Sequence, residues 1–279
     1  MIRKLFLKLK NISVRRVILL LICLFFFSCA KDAVTGKKTY NWYGLNDDIK
    51  LGQQVIHQQL RALKKKKKAI DEEADPEMTR LIREITGKIA AISHFPNFPY
   101  ETHYADLDIV NAWCAPGGKV MVYSGLFNPK EGLVTRSEKD ELAAVLGHEI
   151  AHATARHVTE SLSRNMSLAV IGQAAAIAVG TTGSGIVQDL FQKVISKGID
   201  VFIPAYSRKS ESEADQIGLF YMAKAGYNPK AAVDLWYRAC KRRGDKTSLF
   251  ASHPGSCERA KNLEKLLPQA MEEYQKLAH

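Results

Sequence analysis

The sequence predicts an α+β fold that is mostly helical, with one small sheet. Three observations carry this reading. The chain has 279 residues, 46% of them hydrophobic, enough to bury a substantial core in one domain. Alternating and β-branched residues run through Tyr100 to Leu126 and are broken by Pro116-Gly117-Gly118, which points to a small sheet with a hairpin. From Ser137 onward, Leu142 to Leu146 supply apolar residues at helical spacing around a set of polar ones, the pattern of a packed helix.

The elements follow in order. Arg3, Lys4, Lys8, Lys10, Arg15 and Arg16 precede an apolar core of eleven residues, Val17 to Phe27, too short to span a bilayer comfortably. Phe26-Phe27-Ser28-Cys29 then resembles a bacterial lipoprotein signal cleaved before cysteine, with Phe26 where leucine is usual. This divides the chain into a signal peptide, 1–28, a lipid tether and connecting segment, 29–44, and one domain, 45–279, with Cys29 as the lipidation site. An uncleaved N-terminal anchor is the alternative, and either route places the domain outside the cytoplasm. Ala30 after the cysteine, rather than Asp, favours an outer membrane.

Asp47 to about Lys68 and Glu77 to Ile92 read as helices ahead of the sheet. A long helix from Ser137 to about Ser163 follows, with Ser137 and Asp140 forming a capping box in which Asp takes the Glu position. Leu168 to Val179 reads as an apolar helix too short to cross a membrane, so core packing is expected of it. Thr181 to Gly185 breaks that helix, and the stretch from there to Tyr206 is a candidate cover for a site. Glu211 to Ala225 forms a helix ended by Gly226, then come helices from Pro229 to Arg242 and from Ser256 to Tyr274. No 34-residue repeat is present, so a tetratricopeptide extension is not expected.

The net charge of +11 invites a nucleic-acid reading, but the N-terminal basic residues and the run Lys64 to Lys68 account for all of it. No nucleic-acid-binding motif accompanies that run, which reads as a solvated face partly balanced by Asp71, Glu72, Glu73 and Asp75. Cys23 would leave with the signal, and Cys114, Cys240 and Cys257 remain beside the lipidated cysteine. Cys240 and Cys257 could bridge two C-terminal helices or stay as buried thiols.

His148-Glu149-Ile150-Ala151-His152 carries the chemistry. Residues four apart share a helix face, so both imidazoles can reach one zinc ion. Glu149 lies about 100° round the helix, where it can accept a proton from water at the metal. A mostly apolar helix would not bury His, Glu and His unless something polar satisfied them. Zinc needs a third protein ligand and an open fourth position for catalysis. The position six residues after His152 is Val158, and His157 belongs to a different face, which makes it structural or a support for a ligand. Glu211 is the better third ligand, and Asp215, one turn on, could accept a hydrogen bond from a ligating imidazole. Glu213 points to nearly the opposite side, while Gly218 removes a side chain where two helices could cross.

HEIAH followed by SRKSESEAD resembles the gluzincin metallopeptidases related to the CAAX prenyl protease, which include the mitochondrial Oma-type and bacterial BepA-like proteases. The resemblance extends to Asn111-Ala112-Trp113-Cys114-Ala115-Pro116-Gly117-Gly118 and to Ser252-His253-Pro254 with Arg259, covering roughly Leu45 to Leu267. It implies a zincin-like metallopeptidase domain with one zinc per chain, held by His148, His152 and Glu211, with Glu149 as base. It also implies that Asn111 and His253 stabilise the oxyanion. His253 could instead occupy the fourth zinc position in a resting state. Cys114 departs from the apolar residue common there. Asn111, Ala112, Trp113, Cys114 and Ala115 form the expected edge strand for an extended substrate. The implied function is a lipid-anchored extracytoplasmic zinc endopeptidase acting on misfolded or misassembled envelope proteins. A non-cleaving chaperone or assembly factor using the same groove is the alternative. No nucleic-acid partner is expected.

Overall fold

The computed structural model describes residues 29–31, 34, 36–178, 206–243, 253 and 256–277. The predicted signal segment, the side chain of Cys29 and the candidate cover up to residue 205 lie outside the described residues. In chain order the elements are β1 (Cys29–Lys31), β2 (Lys38–Tyr40), α1 (Leu45–Lys65), α2 (Pro76–Ile92), β3 (Glu101–Ala105), β4 (Ala112–Ala115) and β5 (Lys119–Tyr123). Then follow α3 (Lys139–Thr154), α4 (His157–Ala178), α5 (Arg208–Lys224), α6 (Lys230–Arg243) and α7 (Ser256–Gln275). The fold is mostly helical with a small sheet beside the helix that carries His148 and His152, as the sequence predicts.

The sheet has the order β3-β5-β4, with β3 parallel and β4 antiparallel to β5. β4 therefore lies at an edge. The turn between β4 and β5 needs glycine, since Gly117 and Gly118 sit at φ +71 and +82. Period-two alternation then sorts the side chains. Trp113, Ala115, Met121 and Tyr123 pack with Leu51, Val55 and Ile56 of α1. Ala112, Cys114, Val120 and Val122 pack with α2 and α3, against Ile82, Leu142 and Leu146 among others. Both faces of the sheet are covered, which is why every residue of β4 and β5 is buried.

Three expectations are corrected. The single helix predicted from Ser137 to Ser163 is two helices, because α3 stops at Thr154 and Arg156 turns the chain at φ +59. That left-handed conformation is costly for a residue with a Cβ. It is held because the Arg156 guanidinium donates to the Asp48 carboxylate of α1 at 2.5 Å and to the Tyr43 carbonyl. The capping box does not form: α3 starts at Lys139 without a side-chain cap, and Asp140 accepts the Asn228 amide instead. The predicted apolar helix is the second half of α4; its first residue, Leu168, is 62% exposed rather than in the core, and the side chains after it lie outside the described residues.

Residues 37–43 also do more than tether. Asn41 Nδ2 donates to Thr159 Oγ1 and the Trp42 amide donates to Ser163 Oγ, each at 2.9 Å, docking this segment on α4. Between α6 and α7, Cys240 and Cys257 form a disulfide, while Cys114 is a buried free thiol. No helix among the described residues is long and apolar enough to cross a membrane.

Candidate metal centre

The site is built where α3 and α5 cross. Gly147 and Gly218 meet at the crossing: a Cβ on Gly218 would lie 2.7 Å from the His148 backbone nitrogen, and one on Gly147 would lie 2.9 Å from the Gly218 carbonyl oxygen. Only two glycines let the backbones approach this closely, and the approach brings Glu211 of α5 over His148 and His152 of α3. Gly218→Val should therefore force the helices apart, lowering stability by about 1–3 kcal/mol and weakening metal binding. Thermal unfolding and zinc content check this; a variant matching the parent in both would show that the close crossing is dispensable.

His148 Nε2 and His152 Nε2 stand 3.1 Å apart. Glu211 Oε1 is 3.3 Å from His152 Nε2, and Glu211 Oε2 is 3.6 Å from His148 Nε2. His253 Nδ1 joins them, 3.3 Å from His148 Nε2 and 2.8 Å from Glu211 Oε1. One donor atom from each of the four residues lies within 4.8 Å of the others, and all four side chains are buried. The edges of a tetrahedron around a zinc with bonds of about 2.0–2.1 Å are about 3.3 Å long, close to these separations. Two or three imidazoles with one carboxylate suit zinc in kind as well. The donor set fits one zinc ion.

Burial sets the protonation. It holds His148 down at about 4, helped by the charge on Arg259, and holds His152 well below the usual histidine range. Both rings are thus neutral at pH 7, the form that binds a metal. Burial pushes Glu211 up, but the charges on His253 and Arg259 outweigh it and keep the carboxylate ionised. Burial raises Glu149 to about 7, opposed by the charge of His253.

The surroundings orient these groups. His148 Nδ1 lies 3.0 Å from Asp215 Oδ1, the direction expected of that residue from its helical spacing. Arg259 of α7 donates to both Asp215 oxygens at 2.8 and 2.6 Å and lies 3.0 Å from Glu211 Oε2. Its guanidinium stacks 3.6 Å over the Trp236 ring, so the cation is fixed on one side by carboxylates and on the other by an aromatic face. Glu149 lies beside the Cys114 backbone of β4, and its Oε1 is buried with no hydrogen-bond partner, 3.5 Å from His253 Nε2. Asn111, just before β4, likewise has a buried Oδ1 without a partner. The Tyr206 ring stacks on His152 with centroids 3.8 Å apart.

Sequence reasoning placed His148, Glu149, His152, Glu211, Asp215 and His253, and the structure brings all six together. It assigned Glu213 to the far side and left His157 undecided. Both belong to the surroundings of His152, because His157 at the start of α4 meets His152 at 2.9 Å and Glu213 at 3.2 Å. Trp236 and Tyr206 carried no sequence signal beyond aromatic character.

The same stretch of chain matches peptidase family M48 over residues 76–267. The chain belongs to peptidase family M48. Among M48 relatives, the mitochondrial metalloendopeptidase OMA1 of Schizosaccharomyces pombe is 35% identical over 195 residues, 69% of this chain and 54% of that protein. The metalloprotease YcaL of Escherichia coli is 32% identical over 156 residues, 55% of this chain and 57% of that protein. The beta-barrel assembly-enhancing protease of Yersinia pestis is 29% identical over 168 residues, 56% of this chain and 32% of that protein. This M48 chain thus aligns with between about a third and just over half of each relative's length.

Proposed function

We propose that this chain is a zinc metalloendopeptidase of the cell envelope, anchored by lipid on Cys29. The observation that carries the peptidase reading is the convergence of His148, His152 and Glu211 on one point, with Glu149 Oε1 buried beside them, free of hydrogen bonds and 3.5 Å from His253 Nε2. Zinc bound there supplies Lewis acidity, polarising a peptide carbonyl and acidifying a water. Glu149 then takes the proton of the attacking water at Oε1 and passes it to the leaving amine.

β4 is the candidate substrate strand. The Tyr123 amide donates to the Asn111 carbonyl and the Gly118 amide to the Ala115 carbonyl, so odd-numbered residues pair inward with β5. The backbone polar groups of Ala112 and Cys114 point away from β5, and an extended peptide would pair with these. Asn111 beside this strand is the candidate donor to the oxyanion. His253 Nδ1 lies against the same group, and in its neutral form it would be a fourth donor of a resting site.

Envelope placement draws support from the lipoprotein-like signal and from the Cys240–Cys257 disulfide, a bond that persists in oxidising compartments. One relative's name ties it to β-barrel assembly, which supports misassembled envelope proteins as the substrate class. Zinc-loaded protein should cleave unfolded casein and stop on chelation; a protein with one zinc per chain and no cleavage would reject the reading. Cys29→Ala should abolish labelling by a fatty-acid analogue and leave a larger precursor. Label persisting in that variant would remove Cys29 as the lipid site.

A further inference from the structure

His148 and His152 are neighbours on α3, yet their outer nitrogens are held in different ways. His148 Nδ1 meets the Asp215 carboxylate directly at 3.0 Å. His152 Nδ1 meets another imidazole, His157 Nδ1, at 2.9 Å. His157 Nε2 lies 3.2 Å from Glu213 Oε2, and Glu213 Oε1 accepts from Lys37 Nζ at 2.6 Å. His157 is buried, and Glu213 is largely so.

Donors and acceptors in this row allow one consistent assignment if His152 turns Nε2 to the metal. A neutral imidazole that ligates through Nε2 carries its proton on Nδ1. That proton points at His157 Nδ1, which must then be an acceptor. His157 accordingly carries its own proton on Nε2 and donates it to Glu213 Oε2. The other Glu213 oxygen takes the Lys37 ammonium, so each member of the row has a partner of the right kind.

Local backbone explains how the row is made. Arg156 at φ +59 ends α3 and starts α4 at His157, which aims that ring back at the helix it has just left. Tyr206 stacks on the face of the same His152 ring, so the ring is bounded on its face and at its outer nitrogen.

We propose that Glu213 and His157 are positioning residues for the metal: they fix the orientation and tautomer of His152 through a relayed carboxylate, with Lys37 of the N-terminal segment as its outer anchor. This rests on the reading of His152 as a zinc ligand. Removing such outer partners typically weakens metal binding about 10- to 100-fold.

The test is zinc affinity, measured by competition with a chromogenic chelator, alongside melting of the zinc-free protein. Glu213→Ala should weaken zinc binding by about 10- to 100-fold, and Glu213→Gln, which keeps an acceptor for His157, should recover most of the loss. Lys37→Ala should give a smaller loss in the same direction. Because His157→Ala opens a buried site, the double variant with Glu213→Ala is the sharper probe. Its zinc affinity should equal that of His157→Ala alone, since both act through one row. Affinity within about twofold of the parent in Glu213→Ala, or losses that multiply in the double variant, would overturn the proposal. A fall in melting temperature without a change in affinity would overturn it too. His152→Ala serves as the reference: if it binds zinc as the parent does, the ligand reading fails as well; if it loses zinc while Glu213→Ala does not, only this inference fails.

Discussion

Glu149→Gln should retain zinc and should cleave casein about 100- to 10,000-fold more slowly than the parent. The substitution is nearly isosteric, so the buried side chain can keep its place beside β4. Fold and ligands should survive. What disappears is the ability to take a proton at Oε1, a buried oxygen with no hydrogen-bond partner and 3.5 Å from His253 Nε2. Changes at the ligands should behave differently, because His148→Ala, His152→Ala and Glu211→Ala each remove a donor from the cluster and should lose metal and activity together. Zinc content beside initial cleavage rates separates the two classes. Equal cleavage by Glu149→Gln and the parent would sink the mechanism. Retention of tight zinc by Glu211→Ala would move the third ligand elsewhere.

His253→Ala should raise basal cleavage. With His253 Nδ1 at 2.8 Å from Glu211 Oε1 and 3.3 Å from His148 Nε2, a neutral His253 would be a fourth donor where water or a carbonyl would otherwise bind. A catalytic zinc site keeps one position open, whereas a site with four protein ligands is closed. A resting enzyme whose open form is populated at about 1–10% gains about 10- to 100-fold when the fourth donor is removed. The alternative role, donation to the oxyanion, predicts a fall of about a hundredfold or more. The sign of the change decides between them. Unchanged zinc content with unchanged cleavage would leave His253 a role in packing alone.

The metal-binding turn was legible because its geometry is local. Four residues of helix place His148 and His152 on one face whatever the rest of the chain does. Glu211 and Asp215 share a face for the same reason, and Ser207 caps their helix through the Ser210 amide. The sheet was legible from alternation and from the glycines of its turn. Reading failed where a distant residue sets the backbone. Nothing near Arg156 announces a break, since its left-handed turn is held by Asp48 and Tyr43, 108 and 113 residues away. The expected capping box lost to a tertiary contact in the same way, with Asp140 drawn to Asn228.

The sequence by itself determined the fold class, the family and the residue types at the metal, all of which follow from short-range periodicity and motif order. Which side chains complete the site was decided only in three dimensions. A helical wheel puts Glu213 opposite Glu211, and on an isolated helix that is the solvent face. Here His157 meets Glu213 on that face, so a residue that looks exposed in projection joins a row that ends at His152. The spacing of residues along one helix is fixed by its own hydrogen bonds. What each face meets depends on packing between elements far apart in the chain, and at this site the close crossing at Gly147 and Gly218 and the turn at Arg156 set that packing.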